Sequence, residues 1–236
     1  MRPCARDRNT MCHTVSTMAR SPTDSRTRRR ESRERSRQRI IDAAEELVRQ
    51  GSYAELSVGE IMERAGIGRT LFYRHFDDLG DLVLSVAREA MDELYDTQVA
   101  LAEARLADPD REVPDPAVLR EAIDVPVAVY TRHGPLLRAV IEAAAADPVV
   151  AARLGPLRER LDELVAELLQ RAGEQVGNPP ANAAESARAL NRLTEGYLMD
   201  VFGAEPRVSP EVATETLMEI WLAFVTRPPG QAQALG

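Results

Sequence analysis

The chain contains no lysine, so all thirty of its basic residues are arginine. It has only two cysteines, Cys4 and Cys12, and none in the two hundred and more residues that follow. No disulfide can therefore brace the body, and two cysteines with His13 are too few for a zinc site. No stretch approaches the length of unbroken apolar sequence that spans a bilayer. Strand-like alternation does not persist anywhere, which points to an all-α fold. An all-helical enzyme would have to work through its Asp and Glu residues and His133. The sequence shows no nucleophile with a base partner, no Glu-x-x-His pair and no phosphate-cradling glycine loop. These absences set the expectation of a soluble, cytoplasmic helical protein with no metal, no cofactor, no membrane association and no catalytic site.

What is present is charge divided between two ends. The chain as a whole is acidic, with net charge −8 and a pI near 5.1. Up to Arg39, however, twelve arginines stand against four acidic residues, Asp7, Asp24, Glu31 and Glu34, so this end carries +8 and the remainder −16. That asymmetry is expected when one end meets phosphates and the other does not. Residues 1–33 read as a disordered basic arm, able to follow a nucleic-acid backbone or enter a minor groove with salt-sensitive affinity. Methionines recur at Met11 and Met18, so translation could start at Met1, Met11 or Met18, and no apolar run near them resembles a signal peptide.

The most informative segment is Ser57 to Leu82, SVGEIMERAGIGRTLFYRHFDDLGDL. The Ser57 hydroxyl is placed to accept the Glu60 N–H while the Glu60 carboxylate reaches back, a reciprocal capping box. Ile61, Met62 and Ala65 form an apolar face, and Gly66 stops the helix after about two turns. Gly68 opens a second short helix whose Phe72 and Phe76, four apart, point inward. Before them, Ile40, Ile41, Ala44, Leu47 and Val48 repeat as one buried face ahead of Gly51. Two short helices across a glycine turn match the helix-turn-helix, whose second helix enters the major groove. Arg69 and Thr70 suit base edges, since the arginine fork matches guanine O6 and N7. Ser57, Leu71, Tyr73, Arg74 and His75 complete the expected DNA-binding surface.

The stretch from about Arg37 to Asp78 resembles the N-terminal domain of the TetR family of transcriptional regulators. The resemblance implies a DNA-binding homodimer, a phosphate contact for the Tyr73 hydroxyl, and a second helical domain that binds a ligand. Three departures accompany it. Leu79 stands where a lysine typically touches a phosphate, Leu71 where a threonine is common, and Gly68 where a serine or threonine usually caps the recognition helix. More of the phosphate work then falls on Ser57, Tyr73, His75 and the arginines.

Beyond Asp78 the chain reads as helix throughout. Leu79, Leu82, Val83, Val86, Ala90, Met91 and Leu94 form a continuous stripe, so this helix should run from the DNA-binding unit into the second domain. A proline-rich break follows from Pro109 to Pro116, and Pro126 marks a kink or boundary. Asp147-Pro148 is an N-cap with proline in the first turn, opening a long core helix through Leu157, Leu161, Leu164, Val165 and Leu168. Pro179-Pro180 and Ser209-Pro210 introduce the last two helices. In these, Leu190, Leu193, Tyr197, Leu198, Met199, Val201 and Phe202, then Val212, Leu217, Ile220, Trp221 and Phe224, cover more than one face. That apolar excess suggests a four-helix bundle with a second copy.

Ala189 to Trp221 resembles the ethionamide-resistance repressor subgroup of the same family, in which an elongated apolar tunnel holds the ligand. The resemblance puts Asn191 and Trp221 on tunnel-lining positions and Thr194 where a second asparagine stands. Helix faces add Met91, Val127, Tyr130, Ile141 and Leu164 as pocket candidates. The expected organisation is a basic arm over 1–33, a helix-turn-helix domain over 34–80, a ligand-binding and dimerisation domain over 81–228 and a disordered tail over 229–236. A repressor released from a palindromic operator by a small apolar effector fits this pattern. An activator or a ligand-independent regulator of the same fold fits it too.

Overall fold

Arginine and glutamate are strong helix formers, and proline is well suited to a helix's first turn because its missing N–H has no intrahelical partner there. In the computed structural model, which describes residues 22–108 and 115–226, the first helix accordingly begins at Pro22. This α1 (Pro22–Gln50) starts well ahead of the expected Arg37, so the part of the basic arm from Pro22 to Arg33 is helical rather than disordered. The chain divides into two units, residues 1–37 and 38–236. In the first, Arg35 Nε donates to the Glu31 carbonyl at 3.4 Å and Ser36 Oγ to the Ser32 carbonyl at 3.0 Å. Both cysteines, the three candidate start methionines, most of the proline-rich break and the expected C-terminal tail lie outside the described residues.

The second unit holds the rest of α1, then α2 (Val58–Ala65), α3 (Leu79–Leu106), α4 (Pro116–Ala146), α5 (Pro148–Gln175), α6 (Ala183–Phe202) and α7 (Pro210–Val225). Short 3-10 helices lie at Tyr53–Glu55 and Arg69–Arg74. Among the described residues there is no strand, and no helix is long and apolar enough to cross a membrane. Side-chain caps set the helix starts. Asp78, Asp115, Asp147, Asn182 and Ser209 each accept a backbone N–H from the first turn of the helix that follows.

Pro126 lies inside α4 and does not end it, so the sequence expectation of a boundary there is not met. A proline in a helix leaves the carbonyl four residues earlier without its donor. Here that carbonyl belongs to Ala122, and Gln98 Nε2 of α3 supplies the hydrogen bond instead, at 2.6 Å. The C-terminus of α3 is satisfied in the same manner by a side chain from another helix. Arg171 of α5 donates to the carbonyls of Arg105, at 3.1 Å, and of Leu106 and Asp108.

Two main apolar clusters fill the second unit, with a third, minor one around Leu169, Ala187 and Leu190. The smaller of the main two gathers Ile40, Ala44, Ile61, Met62, Phe72, Phe76 and Leu82; the larger joins the inner faces of α3, α4, α5, α6 and α7. Leu56 and Val86 touch both. Polar ties run between the same regions. Arg138 of α4 donates to the Gly51 carbonyl at 2.7 Å, and Glu142 accepts the Tyr53 N–H at 2.7 Å. Arg153 of α5 pairs with Asp81 at 2.9 Å, beside Gly80, where a Cβ would come within 2.5 Å of the Val150 side chain. The start of α3 is thus seated directly on the start of α5.

Candidate nucleic-acid interface and ligand cavity

Ser57 caps α2, its Oγ accepting the Glu60 N–H at 3.2 Å. The carboxylate half of the capping box occurs five residues earlier, where Ser52 N–H donates to Glu55 at 2.9 Å; Glu60 itself is exposed. The helix buries Ile61, Met62 and Ala65 and ends at Gly66 with φ +63°, a left-handed conformation that glycine adopts without steric cost. Arg39 then holds the turn, donating to the Ala65 carbonyl at 2.6 Å and to the Gly66 carbonyl at 3.4 Å. One arginine of the basic run is therefore structural.

The recognition segment Arg69–Arg74 is a 3-10 helix. Gly68 offers no side-chain oxygen as a cap, and the ends close through i→i+3 bonds, Leu71 N–H to the Gly68 carbonyl and His75 N–H to the Phe72 carbonyl, both 2.9 Å. Phe72, fully buried, and Phe76 stack obliquely with ring centroids 5.6 Å apart. That anchor leaves Arg69, Thr70, Tyr73 and Arg74 exposed, Tyr73 at 62 %, with its ring edge-on to Phe72 at 5.2 Å. His75 is half-buried. Leu71 and Leu79 are half-buried as well and lean on the small core, which gives both apolar departures from the family pattern a packing role.

In the body, five helices line a partly open cavity of about 160 Å³. Along α3 its wall runs from Leu94 to Arg105, and along α4 from Val118 to Tyr130, so it follows about three turns, roughly 16 Å, of each helix. Tyr130, Asn191, Thr194 and Trp221 border it, as expected. Met91 and Val127 lie in the main core, Leu164 is buried and Ile141 half-buried, and none of the four reaches the cavity. Helical periodicity marks a side chain as inward-facing; it does not say whether the side chain meets another side chain or a void.

The polar residues of the wall were only partly anticipated. Asp162, buried on α5, accepts from Asn191 Nδ2 at 2.7 Å and pairs with Arg192 at 3.2 Å. Trp221 Nε1 donates to Thr194 Oγ1 at 3.0 Å. Further along, Arg158 of α5 forms an ion pair with Glu195 of α6 and a hydrogen bond with the Tyr95 hydroxyl of α3. Burial is the largest single influence on Arg158 and opposes its charge, but the hydrogen bonds and charges of Glu195 and Tyr95 together outweigh it and hold the proton more firmly than usual. Burial, reinforced by the Glu195 charge, raises Tyr95, and the same two causes push Tyr130 well above the ordinary tyrosine value. Arg158, Leu161, Asp162 and Val165 follow helical spacing, so charges set into an apolar stripe were the available signal for this missed group.

Two family models match the chain: bacterial regulatory proteins of the tetR family over residues 40–86, and the C-terminal domain of the transcriptional regulator EthR over residues 119–226. The first covers the helix-turn-helix and the second the α4 to α7 walls of the cavity. The HTH-type transcriptional regulator EthR of Mycolicibacterium smegmatis is 28 % identical over 200 residues, spanning 82 % of this chain and 88 % of that protein. Its counterpart in Mycobacterium tuberculosis H37Rv is 27 % identical over 188 residues, 79 % of this chain and 85 % of that protein. Among solved structures, a tetR-family regulator from Streptomyces coelicolor is 25 % identical with a TM-score of 0.56, over 81 % of this chain and 80 % of the other. A tetR-family regulatory protein from Rhodococcus RHA1 shares the fold, with a TM-score of 0.62 at 19 % identity over 80 % of this chain and 96 % of the other. The chain belongs to the TetR family of bacterial transcriptional regulators, with a C-terminal domain of the EthR type.

Proposed function

We propose that the protein is a homodimeric repressor that leaves its operator when a slender, mostly apolar effector occupies the cavity. The observation that carries this reading is the sharing of helices. α4 borders the cavity with Tyr130 and grips the turn after α1 with Arg138 and Glu142; α5 borders it with Arg158 and holds α3 through Arg153 and Asp81. α3 itself leads from the helix-turn-helix into the cavity wall. Spreading these walls shifts the seat of the recognition segment. The effector can act only through unequal affinity for the two arrangements.

Exposed apolar surface on the last two helices supports the dimer. Leu193 is 41 % exposed, Val212 is 50 % exposed, and the space around Gly196 is open enough for another helix to approach. Two-fold symmetry then calls for a palindromic operator with half-sites one helical turn, about 34 Å, or a multiple of it apart. Arg69 and Thr70 meet base edges, Leu71 offers an apolar edge to a thymine methyl, and Ser57, Tyr73, Arg74 and His75 meet phosphates. The arginines before Ile40 add backbone affinity that falls with salt.

The test is operator identification by selection from random duplexes, followed by binding of variants. Arg69→Ala should cost about 1–3 kcal/mol on the operator and relax base preference, whereas Tyr73→Phe should weaken operator and random DNA alike. Equal losses on both DNAs from both variants would overturn this division of roles. Failure to select any preferred duplex would overturn the assigned DNA surface as a whole.

A further inference from the structure

The recognition segment Arg69–Arg74 keeps 3-10 geometry over its whole length, although such runs seldom exceed three or four residues. Its sequence suits an α-helix equally well. Phe72 and Phe76, both buried, stand four apart, the spacing of one α-helical face. The Phe72 carbonyl accepts two N–H groups, that of His75 at 2.9 Å in the 3-10 pattern and that of Phe76 at 3.0 Å in the α pattern. The two forms therefore lie close together, and one group at the start of the segment can decide between them.

That group is missing at Gly68. In the 3-10 form the Leu71 N–H donates to the Gly68 carbonyl at 2.9 Å. An α-helix would give this carbonyl to the Phe72 N–H, and Leu71 would then need a side-chain oxygen at position 68 as its acceptor. Glycine has none. Neither backbone nor packing calls for glycine here. Its φ of −63° and ψ of 137° suit any residue, and a Cβ would meet no atom within 4 Å among the described residues. The local consequence of the missing side chain is that the 3-10 form is the better bonded one.

The choice of form rearranges the exposed side chains. With three residues per turn, residues three apart eclipse, so Thr70 aligns with Tyr73 and Leu71 with Arg74 on two edges about 120° apart, while Phe72 enters the small core. Each edge begins with a residue assigned to bases and ends, about 6 Å along the axis, with one assigned to phosphates. In an α-helix Thr70 and Arg74, four apart, would share one edge, and Leu71 and Tyr73 would part to opposite flanks.

Resting on the reading of this segment as the DNA surface, we infer that Gly68 is a positioning residue that sets base preference. By withholding a cap oxygen it keeps the recognition segment in 3-10 form, and the operator is read by the two edges Thr70–Tyr73 and Leu71–Arg74.

Selection from random duplexes, repeated with the full-length Gly68→Ser and Gly68→Ala variants and joined to nuclear Overhauser spectra of all three proteins, tests this. The native protein and Gly68→Ala should select the same half-site and show the Thr70 Hα to Phe72 N–H contact of a 3-10 helix. Gly68→Ser should show the Thr70 Hα to Arg74 N–H contact of an α-helix and select a different half-site. It should also bind the native operator about two- to thirtyfold more weakly than Gly68→Ala, the range that separates serine from alanine at a helix start. Both variants should melt no lower than the native protein, because position 68 is open. The α contact in the native protein, the 3-10 contact or the native half-site in Gly68→Ser, equal changes in both variants, or a lowered melting temperature would overturn the role of Gly68 and leave the DNA surface standing. Failure of the native protein to select any duplex would overturn the surface and this role with it.

Discussion

The small core around Phe72 and the large core around the cavity are filled to different degrees. In the small core Phe72, Ile40, Ile61 and Leu82 are fully buried, and the nearest cation in the turn, Arg39, is spent on two carbonyls at its rim. The large core leaves a slot and places tyrosine, arginine and carboxylate side chains along it. A close-packed cluster has essentially one arrangement, which suits a surface that must present Arg69, Thr70 and Tyr73 reproducibly. A core with unfilled volume and unmet hydrogen bonds can exchange one packing for another when a guest enters. On the proposed mechanism, rigidity and response fall to separate cores, with α3, α4 and α5 carrying displacement between them.

Deleting the anchor of the small core should have the largest effect. Phe72→Ala is expected to cost about 3–5 kcal/mol in urea denaturation, because a fully buried ring leaves a cavity that its neighbours only partly close. Specific DNA binding should go with it. A stability loss near zero would show that the small core is no better filled than the large one.

The contrast is sharper with one substitution made in both cores. Ala44→Leu should destabilise by about 1–3 kcal/mol, since Ala44 is fully buried in the small core and a larger side chain there must displace its neighbours. Ala102→Leu, on the cavity wall, should be neutral or add about 0.5–2 kcal/mol by filling void. Equal penalties at the two positions would remove the distinction between the cores.

The smallest effect concerns alkaline pH. Tyr95 and Tyr130 both ionise above the ordinary tyrosine value of about 10 in the folded protein. The unfolded chain therefore loses these protons first. Their contribution is intact below pH 10 and is lost as pH rises from there toward the folded values. Denaturation midpoints should fall over that range, and the fall should be shallower in the Tyr95→Phe, Tyr130→Phe double variant. An identical slope in the variant would assign the alkaline loss to other groups.

The helix-turn-helix was legible because its signals are local. Ser57 as a cap, Gly66 as a stop and Phe72 with Phe76 as an inward pair each act within a turn or two of their own position. The early start of α1 at Pro22 was obscured because an arginine-rich run resembles a solvated arm in composition while having ample helix propensity. The continuation of α4 past Pro126 was hidden for another reason: the donor that compensates it, Gln98, sits on a different helix. The cavity was half legible. Tyr130, Asn191, Thr194 and Trp221 were found from helix faces and the family likeness. Arg158, Asp162 and Glu195 were not, because a charge on a helix usually faces water, and only the packing of α5 against α6 shows these charges turned inward.

Composition, capping residues and apolar spacing were enough to indicate an all-helical chain with a basic end, a helix-turn-helix at Ser57 to Leu82 and a surplus of apolar surface on the last two helices. Each of these depends on interactions between residues close in sequence or on totals over the chain. Which inward side chains meet a void, which polar groups partner one another and which are left over required the tertiary structure. Hydrogen-bond satisfaction and packing density depend on residues brought together from distant helices, and no local pattern contains them. That is why Asn191 could be placed on the cavity from its family likeness, while its engagement with Asp162 emerged only from the folded chain.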